Sequence, residues 1–474
     1  MLTRLLVKGF KSLSDAEVRF GPFTCIAGAN GAGKSNLFDA ILFLHDLANH
    51  SIVEAAHRVR DRSGGKNGDL KSLFTRTLDG KIPNIYIEAD FIVPSEVTDD
   101  FGRKTSPSTT YLTYKLELKY RSLENHTEAI ELVAEYLTYR PKSEARKQIG
   151  FKTSKDFINT ALLGVHRAPY ITTEHEDGQS VIKVSQDGNQ GRPSQFPAQR
   201  SPRTVLGSAN TDERPTILAA RREMQSWRLL QLEPTKLRSS DEFSDDPHIT
   251  YDGAHVPATL DRIKKFEEVS NRVAELLPEV NYITVDVDNI RRLKTLVLTQ
   301  RNGLEHKARS LSDGTLRFVA LATMAFDPDA KGLICLEEPE NGIHPSRISA
   351  IIELLRDMAV NPGEAVGPGN QLRQVVINTH SPIVVRNLKP DDLLVAVPVR
   401  RNRTSSTIYG VMANSWRSGD QHAEANKPTV VSLSELIDYL HNMDAVTMDD
   451  VRHGKLWQLA ATQGVFDFVS NNQQ

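Results

Sequence analysis

The sequence predicts an α/β protein built around a parallel sheet, and three observations support this prediction. Residues 23–28 (FTCIAG) form an apolar run of the buried-strand type, and the amphipathic helix pattern SNLFDAILFLHDLAN follows it. A second apolar run, LICL at residues 333–336, ends in two adjacent carboxylates. A third, QVVIN at residues 374–378, is followed by a threonine and a histidine. Ligands collect at the carboxyl ends of such strands, so these polar residues are the first candidates for a functional site.

The overall composition indicates a globular chain without marked charge bias. Of its 474 residues, 25% are charged and 39% are apolar, and the formal net charge is −2. No uninterrupted apolar run reaches about 18 residues, and residues 1–13 lack the apolar core of a secretory signal, so neither a membrane span nor export is expected. Cys25 and Cys335 both lie in apolar runs, which excludes a disulfide framework and favours a reducing cytoplasm.

The first part of the chain alternates strand and helix patterns. Residues 2–10 and 15–20 are predicted to be half-buried strands, and HSIVEAAHRV at residues 50–59 continues or restarts the helix before it. NIYIEADFIV, TYLTYKLELKY and AIELVAEYLTYR predict three further strands with a two-residue period. At this length, two to four domains or one core with a large insertion are expected.

Residues 140–240 differ from the rest because they are polar, rich in Gly, Pro and Gln, and without hydrophobic period. This composition predicts an insertion with long loops or local disorder. The segment carries 17 basic and 10 acidic residues. A solvated surface is the favoured interpretation, and a surface that contacts phosphate backbones is the alternative. Aromatic residues for base stacking are sparse, with Trp227 and Tyr170 isolated.

Helical patterning returns at about residue 257 with LDRIKKFEEVSNRVAELL, and the predicted strands NYITVDVDN and LKTLVLTQ follow. Strongly patterned elements continue to about residue 396. Residues 397–474 mix a short strand pattern, STIYGVM, with the helix patterns LSELIDYLHNM and KLWQLAATQGVFDFV. No fixed-period repeat or long heptad series is visible, so neither a solenoid nor an extended coiled coil is expected.

Residues 28–35 (GANGAGKS) match the spacing G-x-x-x-x-G-K-[ST] of a phosphate-binding P-loop. Glycines allow the left-handed backbone that turns successive N–H groups inward, and the N-terminus of the following helix adds its positive dipole. Lys34 can reach the β- and γ-phosphates of a nucleotide, and Ser35 can ligate Mg²⁺. The alternative, a bare turn between a strand and a helix, does not explain this choice of residues.

Glu337 and Glu338 end the predicted strand LICL, and Pro339 and Gly342 then force a turn. One carboxylate can hold Mg²⁺, and the other can orient or deprotonate an attacking water. Consecutive strand residues point to opposite faces, so the two carboxylates need not share one task. The alternative, an acidic loop after a strand, is less favoured in a chain that also contains a P-loop.

Two further element termini carry candidate residues. SLSDGTLRFV at residues 310–319 places Ser312 and Gly314 at the start of a helix, where an anion can bind, with Asp313 between them. Taken alone, this pattern would be an ordinary helix N-cap. His380 lies at the tip of the strand QVVIN and is a candidate sensor of the γ-phosphate.

The order of these motifs resembles that of the ATP-binding cassette (ABC) class of P-loop ATPases. FKSL, GANGAGKSN, LSDGT, LEEPENGIHP and INTHSP are most similar to its RecF-like and OLD-like branch, of the AAA15 and AAA21 types, which is related to SMC proteins. The resemblance covers residues 1–95 and 257–396. It implies an ABC-type ATPase head, with mixed sheets around a P-loop core and a helical lobe.

On this resemblance the head carries a long insertion and a small C-terminal α/β extension. Residues 1–95 would form the first part of the head, residues 96–256 the insertion, residues 257–396 the second part of the head, and residues 397–474 the extension.

The resemblance also implies a role for each matching residue. ATP would be bound by the loop residues Asn30, Gly31, Ala32, Gly33, Lys34, Ser35 and Asn36. Glu337 and Ser35 would hold Mg²⁺. Glu337 stands at the position where this class more usually has an aspartate. Glu338 would be the general base, and Lys34 and the switch histidine His380 would complete the catalytic set.

In this class the signature motif contacts ATP that is bound to the other subunit. Ser312 and Gly314 would therefore complete the site of a second copy, and Asn341 and Gly342 would lie in the D-loop that faces it. The resemblance thus implies a homodimer, or a higher even oligomer, that encloses two ATP molecules.

Two features depart from the ABC pattern. The signature reads LSDGT instead of LSGGQ, and Asp313 puts a negative charge near a phosphate, so its side chain must point away or be neutralised. The class also has a Q-loop glutamine between the P-loop helix and the signature, but no glutamine occurs from Leu37 to Lys147. Gln231, in WRLLQLEP, is a remote candidate.

No nuclease is expected in this chain, although OLD-like proteins often append one. That chemistry needs an Asp-x-Asp pair, and none follows His380. Asp286 and Asp288 form the pattern earlier, on an amphipathic strand that favours surface residues. A separately encoded nuclease or toxin effector is then a hypothesis that the resemblance suggests, because relatives of this kind occur beside one in bacterial anti-phage systems.

Two functions fit these observations. The first is an ATP-dependent dimer that acts on or senses DNA in phage defence or DNA repair, which the basic insertion favours. The second is a nucleotide-gated scaffold that holds and releases a toxin or nuclease partner without binding DNA. The missing nuclease and the unusual signature favour this second function.

Overall fold

The computed structural model describes residues 1–62, 70–77, 80–122, 128–165, 168–176, 179–187, 193–199, 201–401, 404–412, 430–432 and 436. The predicted helices in LSELIDYLHNM and KLWQLAATQGVFDFV fall outside the described residues, except for Leu436. No helix in the described part of the chain is both long and apolar enough to cross a membrane.

A seven-stranded sheet contains the three buried strands that the sequence predicts. Its order is β12-β17-β18-β3-β19-β20-β21, and it is parallel from β12 to β19. β20 is antiparallel to β19, so these two strands form a hairpin. The strands are β3 (Phe23–Ala27), β12 (Arg228–Leu230), β17 (Gly332–Glu337), β18 (Arg373–Thr379), β19 (Leu393–Arg401), β20 (Thr404–Met412) and β21 (Val430–Val431).

An eight-stranded antiparallel sheet has the order β11-β10-β9-β8-β7-β4-β1-β2. It runs across the predicted boundary between residues 95 and 96, because strands from both sides pair within it. The division of the chain at that point stays a prediction. The strands are β1 (Leu2–Phe10), β2 (Leu13–Arg19), β4 (Ile85–Ile92), β7 (Tyr111–Ser122), β8 (Glu128–Tyr139), β9 (Ile171–Glu176), β10 (Gln179–Val184) and β11 (Ser194–Pro197).

Two smaller sheets complete the described strands. One is a pair made of β5 (Val97–Thr98) and β6 (Lys104–Thr105). The other has four strands, with β15 at its centre, and precedes the signature motif in the chain. Its strands are β13 (Asp241–Glu242), β14 (Val280–Asp288), β15 (Leu293–Gln300) and β16 (Glu305–Lys307).

The helices confirm the main helical patterns of the sequence. The helices in chain order are α1 (Lys34–Asn49), α2 (Ile52–Arg62), α3 (Lys142–Gln148), α4 (Lys155–Ala161), α5 (Pro215–Gln225), α6 (Pro234–Leu237), α7 (Val256–Ile263), α8 (Phe266–Leu276), α9 (Asp313–Phe326), α10 (Ile348–Asp357) and α11 (Pro382–Arg386). Short 3₁₀ turns lie at Leu70–Leu73, Leu206–Ser208, Ala308–Ser310, Pro345–Arg347 and Pro390–Asp392.

Three segments differ in detail from the sequence patterns. HSIVEAAHRV restarts a helix, because the extended backbone of His50 ends α1 before α2 begins. LDRIKKFEEVSNRVAELL forms two helices, α7 and α8, because Lys264 has a left-handed φ of 55°. Residues 140–240 contain four helices and four short strands among the described residues, more regular structure than their polar composition predicts.

Helix α1 packs its apolar face into the core that it shares with the antiparallel sheet. The predicted apolar stripe of Leu37, Ile41, Leu44 and Leu47 is at most 2% exposed and joins the same cluster as the apolar residues of β1. Each such buried side chain contributes about 1.5–3 kcal/mol relative to exposure. This packing fixes the helix that follows the P-loop.

The insertion holds the C-terminal end of α1. Arg221 Nε donates to the carbonyl oxygen of Ala48 at 2.9 Å, and Arg203 Nη1 donates to that of Asn49 at 3.3 Å. The last carbonyls of a helix have no partner inside it, and cations suit its negative end. Some basic residues of the insertion therefore stabilise α1.

A buried carboxylate on β8 anchors the same part of the insertion. Glu135 accepts hydrogen bonds from the backbone N–H groups of Val205, at 2.7 Å, and Leu206, at 2.9 Å, and from the hydroxyl of Tyr114 at 3.1 Å. Burial raises the pKa of Glu135 to about 7, although the three donors act in the opposite direction.

We expect Glu135 to make stability depend on pH. Its pKa is about 7 in the folded chain and near the ordinary 4.5 in the unfolded chain, so its contribution is full below about pH 4.5 and is lost as the pH rises through about 7. Glu135→Gln should remove this decrease. It should also lower the free energy of unfolding at pH 5 by about 1–3 kcal/mol, because the two N–H groups bond to different oxygens of Glu135 and the NH₂ group of glutamine cannot accept one of them.

Urea unfolding at several pH values between 5 and 8 measures this effect. Glu174→Gln, on an exposed carboxylate of the neighbouring strand β9, is the matched control. If the wild-type chain and the Glu135→Gln variant lose stability equally as the pH rises, Glu135 is not the titrating group.

Candidate functional site

A cavity of about 730 Å³ opens at the carboxyl ends of β3, β17 and β18. These strands are parallel neighbours, so the segments that follow them meet at one edge of the sheet. The cavity is lined by P-loop residues, by Glu337 at the end of β17 and Glu338 just after it, and by Asn378 near the end of β18. Motifs that are far apart in the sequence are thus brought together.

The P-loop backbone requires glycine at two positions. Gly31 and Gly33 have φ values of 78° and 92°, in the left-handed region that favours glycine. A Cβ atom on Gly33 would lie only 2.4 Å from Thr407 Oγ1. Helix α1 begins at the next residue, Lys34, so its N-terminal turn borders the cavity.

Two side chains of strand β20 donate hydrogen bonds to the backbone of this loop. Thr407 Oγ1 donates to the carbonyl oxygen of Ala32 at 3.0 Å, and Tyr409 Oη donates to that of Gly33 at 3.2 Å. Thr407 and Tyr409 are two residues apart and therefore lie on one face of β20. The hairpin of β19 and β20, which is remote in sequence, thus donates hydrogen bonds to two carbonyl groups of the P-loop.

The side chain of Lys34 is buried at the edge of the cavity. Its Nζ donates to the carbonyl oxygens of Gly28 at 2.6 Å and Ala29 at 2.8 Å. Burial lowers the pKa of Lys34, and the carboxylates of Glu338 and Glu340 partly offset this. The ammonium group is therefore held inside the loop, where a phosphate would lie.

The remaining predicted loop residues are placed at or beside the cavity. Asn30, Ser35 and Asn36 line it, whereas Ala32 is buried against β20. Asn36 Nδ2 donates to Ser12 Oγ at 2.7 Å, and Ser12 also lines the cavity. The segment FKSL therefore contacts the P-loop directly through Ser12. This contact explains why FKSL occurs together with the P-loop motif.

Glu337 and Ser35 present oxygen atoms to the same cavity. Both side chains are exposed there, and Asn378 Nδ2 donates to Glu337 Oε1 at 3.2 Å. A carboxylate and a hydroxyl are the ligands that Mg²⁺ prefers beside phosphate oxygens. These donors fit a magnesium ion shared between the protein and a phosphorylated ligand.

Glu338 lies in a strained and closely defined position. Its φ is 44°, rare for a residue with a side chain, and its N–H donates to Asn378 Oδ1 at 3.1 Å. His380 Nδ1 lies 2.8 Å from its Oε1, and Asn341 Nδ2 donates to its Oε2 at 2.8 Å. Both carboxylate oxygens are thus oriented by neighbouring side chains.

The surroundings of Glu338 favour its ionised form. Burial alone would raise its pKa, but the hydrogen bonds from Asn341 and His380 and the charge of Lys34 outweigh burial and hold the pKa below its ordinary value. A carboxylate that is ionised, oriented and placed at the wall of a cavity can accept a proton from water.

The signature motif lies outside the cavity. Ser312 is the N-cap of α9 and accepts a hydrogen bond from Thr315 N at 3.2 Å. Gly314 lies close to Gly342, since a Cβ on Gly314 would be 3.4 Å from the carbonyl oxygen of Gly342. Neither Ser312 nor Gly314 lines the cavity, so the structure does not bring them to Lys34 within one chain. Asp313 forms an ion pair with Arg238.

Several site residues were not found from the sequence. Asn378 lies in the segment INTHSP but was assigned no role, and Thr407 and Tyr409 belong to no motif, although they alternate on a strand pattern. Gln231, only a remote candidate in the sequence, follows β12 beside β17 and lines the cavity. The edge strand β12 is too short to be found by its period alone.

The Asp-x-Asp pair lies on the hairpin of β14 and β15, away from the cavity lining. Asp286 Oδ2 is 3.2 Å from Lys307 Nζ. Asp288 Oδ1 accepts hydrogen bonds from the N–H groups of Ile290 and Arg291, both at 2.9 Å. These acids have exposed, local partners, in agreement with their interpretation as surface residues.

We expect Thr407→Val to lower the free energy of unfolding by about 1–3 kcal/mol, because the buried carbonyl of Ala32 then loses its donor. The variant should also bind a fluorescent ATP analogue more weakly, since the P-loop is less firmly held. Thr407→Ser, which keeps the hydroxyl, is the matched control. Equal nucleotide affinity in all three chains would show that the contact does not support the loop.

Comparison with curated proteins finds relatives that match short parts of the chain. The chain is 50% identical over 48 residues to an OLD nuclease of Thermus scotoductus, a match that covers 10% of the chain. It is 27% identical over 130 residues to structural maintenance of chromosomes protein 4 of Dictyostelium discoideum, a match that covers 24% of the chain. Each match spans only 9% of the length of the relative.

Comparison with solved structures finds SMC head domains. The SMC head bound to the C-winged helix domain of ScpA is 15% identical, with a TM-score of 0.47, and the match covers 86% of this chain and 98% of that one. The SMC head domain from Thermotoga maritima is 14% identical, with a TM-score of 0.37, over 86% of this chain and 97% of that one.

Two family models match the chain. The RecF/RecN/SMC N-terminal domain matches residues 1–58, which include the P-loop. The AAA_21 family, described as "AAA domain, putative AbiEii toxin, Type IV TA system", matches residues 92–386, more than half of the chain. The chain therefore belongs to the AAA_21 family of SMC- and RecF-like P-loop ATPases, and its fold is an ABC-type ATPase head.

Proposed function

We propose that the chain binds ATP with Mg²⁺ and hydrolyses it, and that two copies act together as a dimer. The observation that carries this proposal is that Lys34 and Glu338 line one cavity, while His380, which is not part of the lining, contacts Glu338 at 2.8 Å. These residues follow three adjacent parallel strands, and the cavity of about 730 Å³ has room for a nucleotide.

The P-loop would bind the phosphates. Backbone N–H groups of residues 30–36 would surround the triphosphate, and the N-terminal turn of α1 favours its negative charge. Lys34 would exchange its carbonyl partners for the β- and γ-phosphate oxygens. Ser35 and Glu337 would hold Mg²⁺, which when bound neutralises charge on the phosphates.

Glu338 would act as the general base. Because Asn341 and His380 fix its two oxygens, its carboxylate can orient a water molecule and take a proton from it as that water attacks the γ-phosphate. His380 would position Glu338 and contact the γ-phosphate from its exposed side. Gln231 lines the cavity just after Leu230, which pairs with Leu336 of β17, and it is our candidate for the Q-loop glutamine.

A second copy of the chain would complete each site. Ser312 and Gly314 lie outside the cavity of their own chain, so their proposed contact with ATP requires the partner's cavity. Asn341 and Gly342 would lie in the same interface, since Gly342 is next to Gly314. We propose a homodimer, or a higher even oligomer, that closes on two ATP molecules.

We further propose that this dimer senses or acts on DNA, in phage defence or DNA repair, together with a separately encoded nuclease or toxin. Similarity to an OLD nuclease and the toxin–antitoxin description of the family support this proposal. Asp286 and Asp288 are engaged in local surface contacts, so no nuclease is proposed in this chain. The absence of paired cysteines supports a cytoplasmic location.

One observation favours the alternative, a nucleotide-gated scaffold that holds a toxin or nuclease without binding DNA. Arg203 and Arg221 donate to backbone carbonyl groups, and Arg222 pairs with Asp100. These basic residues of the insertion are therefore not all available to phosphates. Three exposed lysines of the insertion, Lys142, Lys152 and Lys155, are our candidates for a DNA surface.

Glu338→Gln should reduce the rate of ATP hydrolysis roughly 10²–10⁴-fold and leave ATP binding intact, because only the proton acceptor is lost. With ATP and Mg²⁺ the variant should accumulate as a dimer, measured by size-exclusion chromatography with light scattering. Glu353→Gln, an exposed carboxylate on α10, is the control. Hydrolysis at the wild-type rate would refute the general-base assignment.

DNA binding by the purified chain should weaken steeply with salt, with a slope of log affinity against log salt of about −0.9 for each phosphate contacted. Replacing Lys142, Lys152 and Lys155 together by Gln should make this slope shallower. Lys331→Gln, an exposed cation outside the insertion, is the control. No DNA binding, together with co-purification of a neighbouring gene product, would favour the scaffold.

A further inference from the structure

The signature motif of this chain carries a negative charge that the structure pairs within the same chain. Asp313 is the first residue of α9, and its Oδ1 forms an ion pair with Arg238 Nη2. The side chain of Asp313 is 45% exposed and that of Arg238 is 30% exposed. The pair therefore lies at the surface, beside the exposed N-cap Ser312.

Arg238 reaches the signature from the wall of the nucleotide cavity. It follows α6, whose first residue Pro234 lines the cavity, as does Gln231 before it. Arg238 Nη1 donates to the carbonyl oxygen of Pro234 at 3.1 Å, and Nη2 donates to that of Leu311 at 3.1 Å. One guanidinium group thus joins the cavity wall to the start of the signature motif.

We propose that Arg238 neutralises Asp313, so that the N-terminal turn of α9 can approach the triphosphate of a second copy. The inference rests on the proposed ATP-bound dimer. An unpaired carboxylate next to Ser312 and Gly314 would repel the phosphates that these residues are to contact. Arg238 is therefore a positioning residue for dimer closure, and it acts through Asp313.

Geometry favours this role over a direct contact of Arg238 with the partner's phosphate. The guanidinium already donates to two carbonyl oxygens and to the carboxylate, all within its own chain. A direct contact would have to break some of these bonds. Neutralisation keeps all of them and needs only that the pair stays formed when the dimer closes.

The test measures ATP-dependent dimerisation by analytical ultracentrifugation, in chains that all carry Glu338→Gln. Adding Arg238→Gln should raise the dimer dissociation constant about tenfold at low salt, and less at high salt, where charges are screened. Adding Asp313→Asn as well should restore the affinity, because the unpaired charge is then gone. Lys236→Gln, which removes a cation from α6 that is paired with Asp252, is the matched control.

Binding of a fluorescent ATP analogue and thermal unfolding show whether each variant is folded with an intact cavity. If Arg238→Gln leaves dimerisation unchanged, the proposal is wrong. It is also wrong if Asp313→Asn fails to restore the affinity, because the guanidinium itself is then required. If the chain that carries only Glu338→Gln forms no dimer with ATP, the proposed ATP-bound dimer is wrong, and this inference, which rests on it, is wrong as well.

Discussion

The site depends on the parallel pairing of β17, β18 and β3. In this register Glu337 lies opposite Asn378, and Thr379 lies opposite Ala27, so the three strands end at the same level. The turn after β3 becomes the P-loop, the end of β17 and the residue after it supply the carboxylates of Glu337 and Glu338, and the residue after β18 is His380. A shift of one residue in either pairing would turn these side chains to other faces.

The P-loop helix is held at both ends by parts of the chain that are remote in sequence. The hairpin of β19 and β20 binds the carbonyl groups that precede α1, and arginines of the insertion bind those that end it. A phosphate-binding loop gains affinity when its backbone is already in the bound conformation. The insertion and the C-terminal hairpin therefore have a structural task in addition to any contact with partners.

Local patterns predicted the strands and helices that carry the motifs, because burial periodicity and glycine spacing are properties of short segments. The roles of Asn378, Thr407 and Tyr409 could not be predicted, since a hydrogen bond between distant segments produces no periodic pattern in the sequence. The pairing of Asp313 with Arg238 was open for the same reason: the sequence shows the charge but not what neutralises it. The regular structure of residues 140–240 was missed because many of its strands and helices are too short to show a period.

The position of β3 in the central sheet has a consequence for synthesis on the ribosome. Its residues 23–27 are flanked by β18 and β19, which emerge only after residue 370. The strand before the P-loop is therefore translated early. It cannot pair with β18 and β19 until most of the chain has been translated. Such long-range pairing folds slowly and leaves apolar strands exposed in the nascent chain, where chaperones bind.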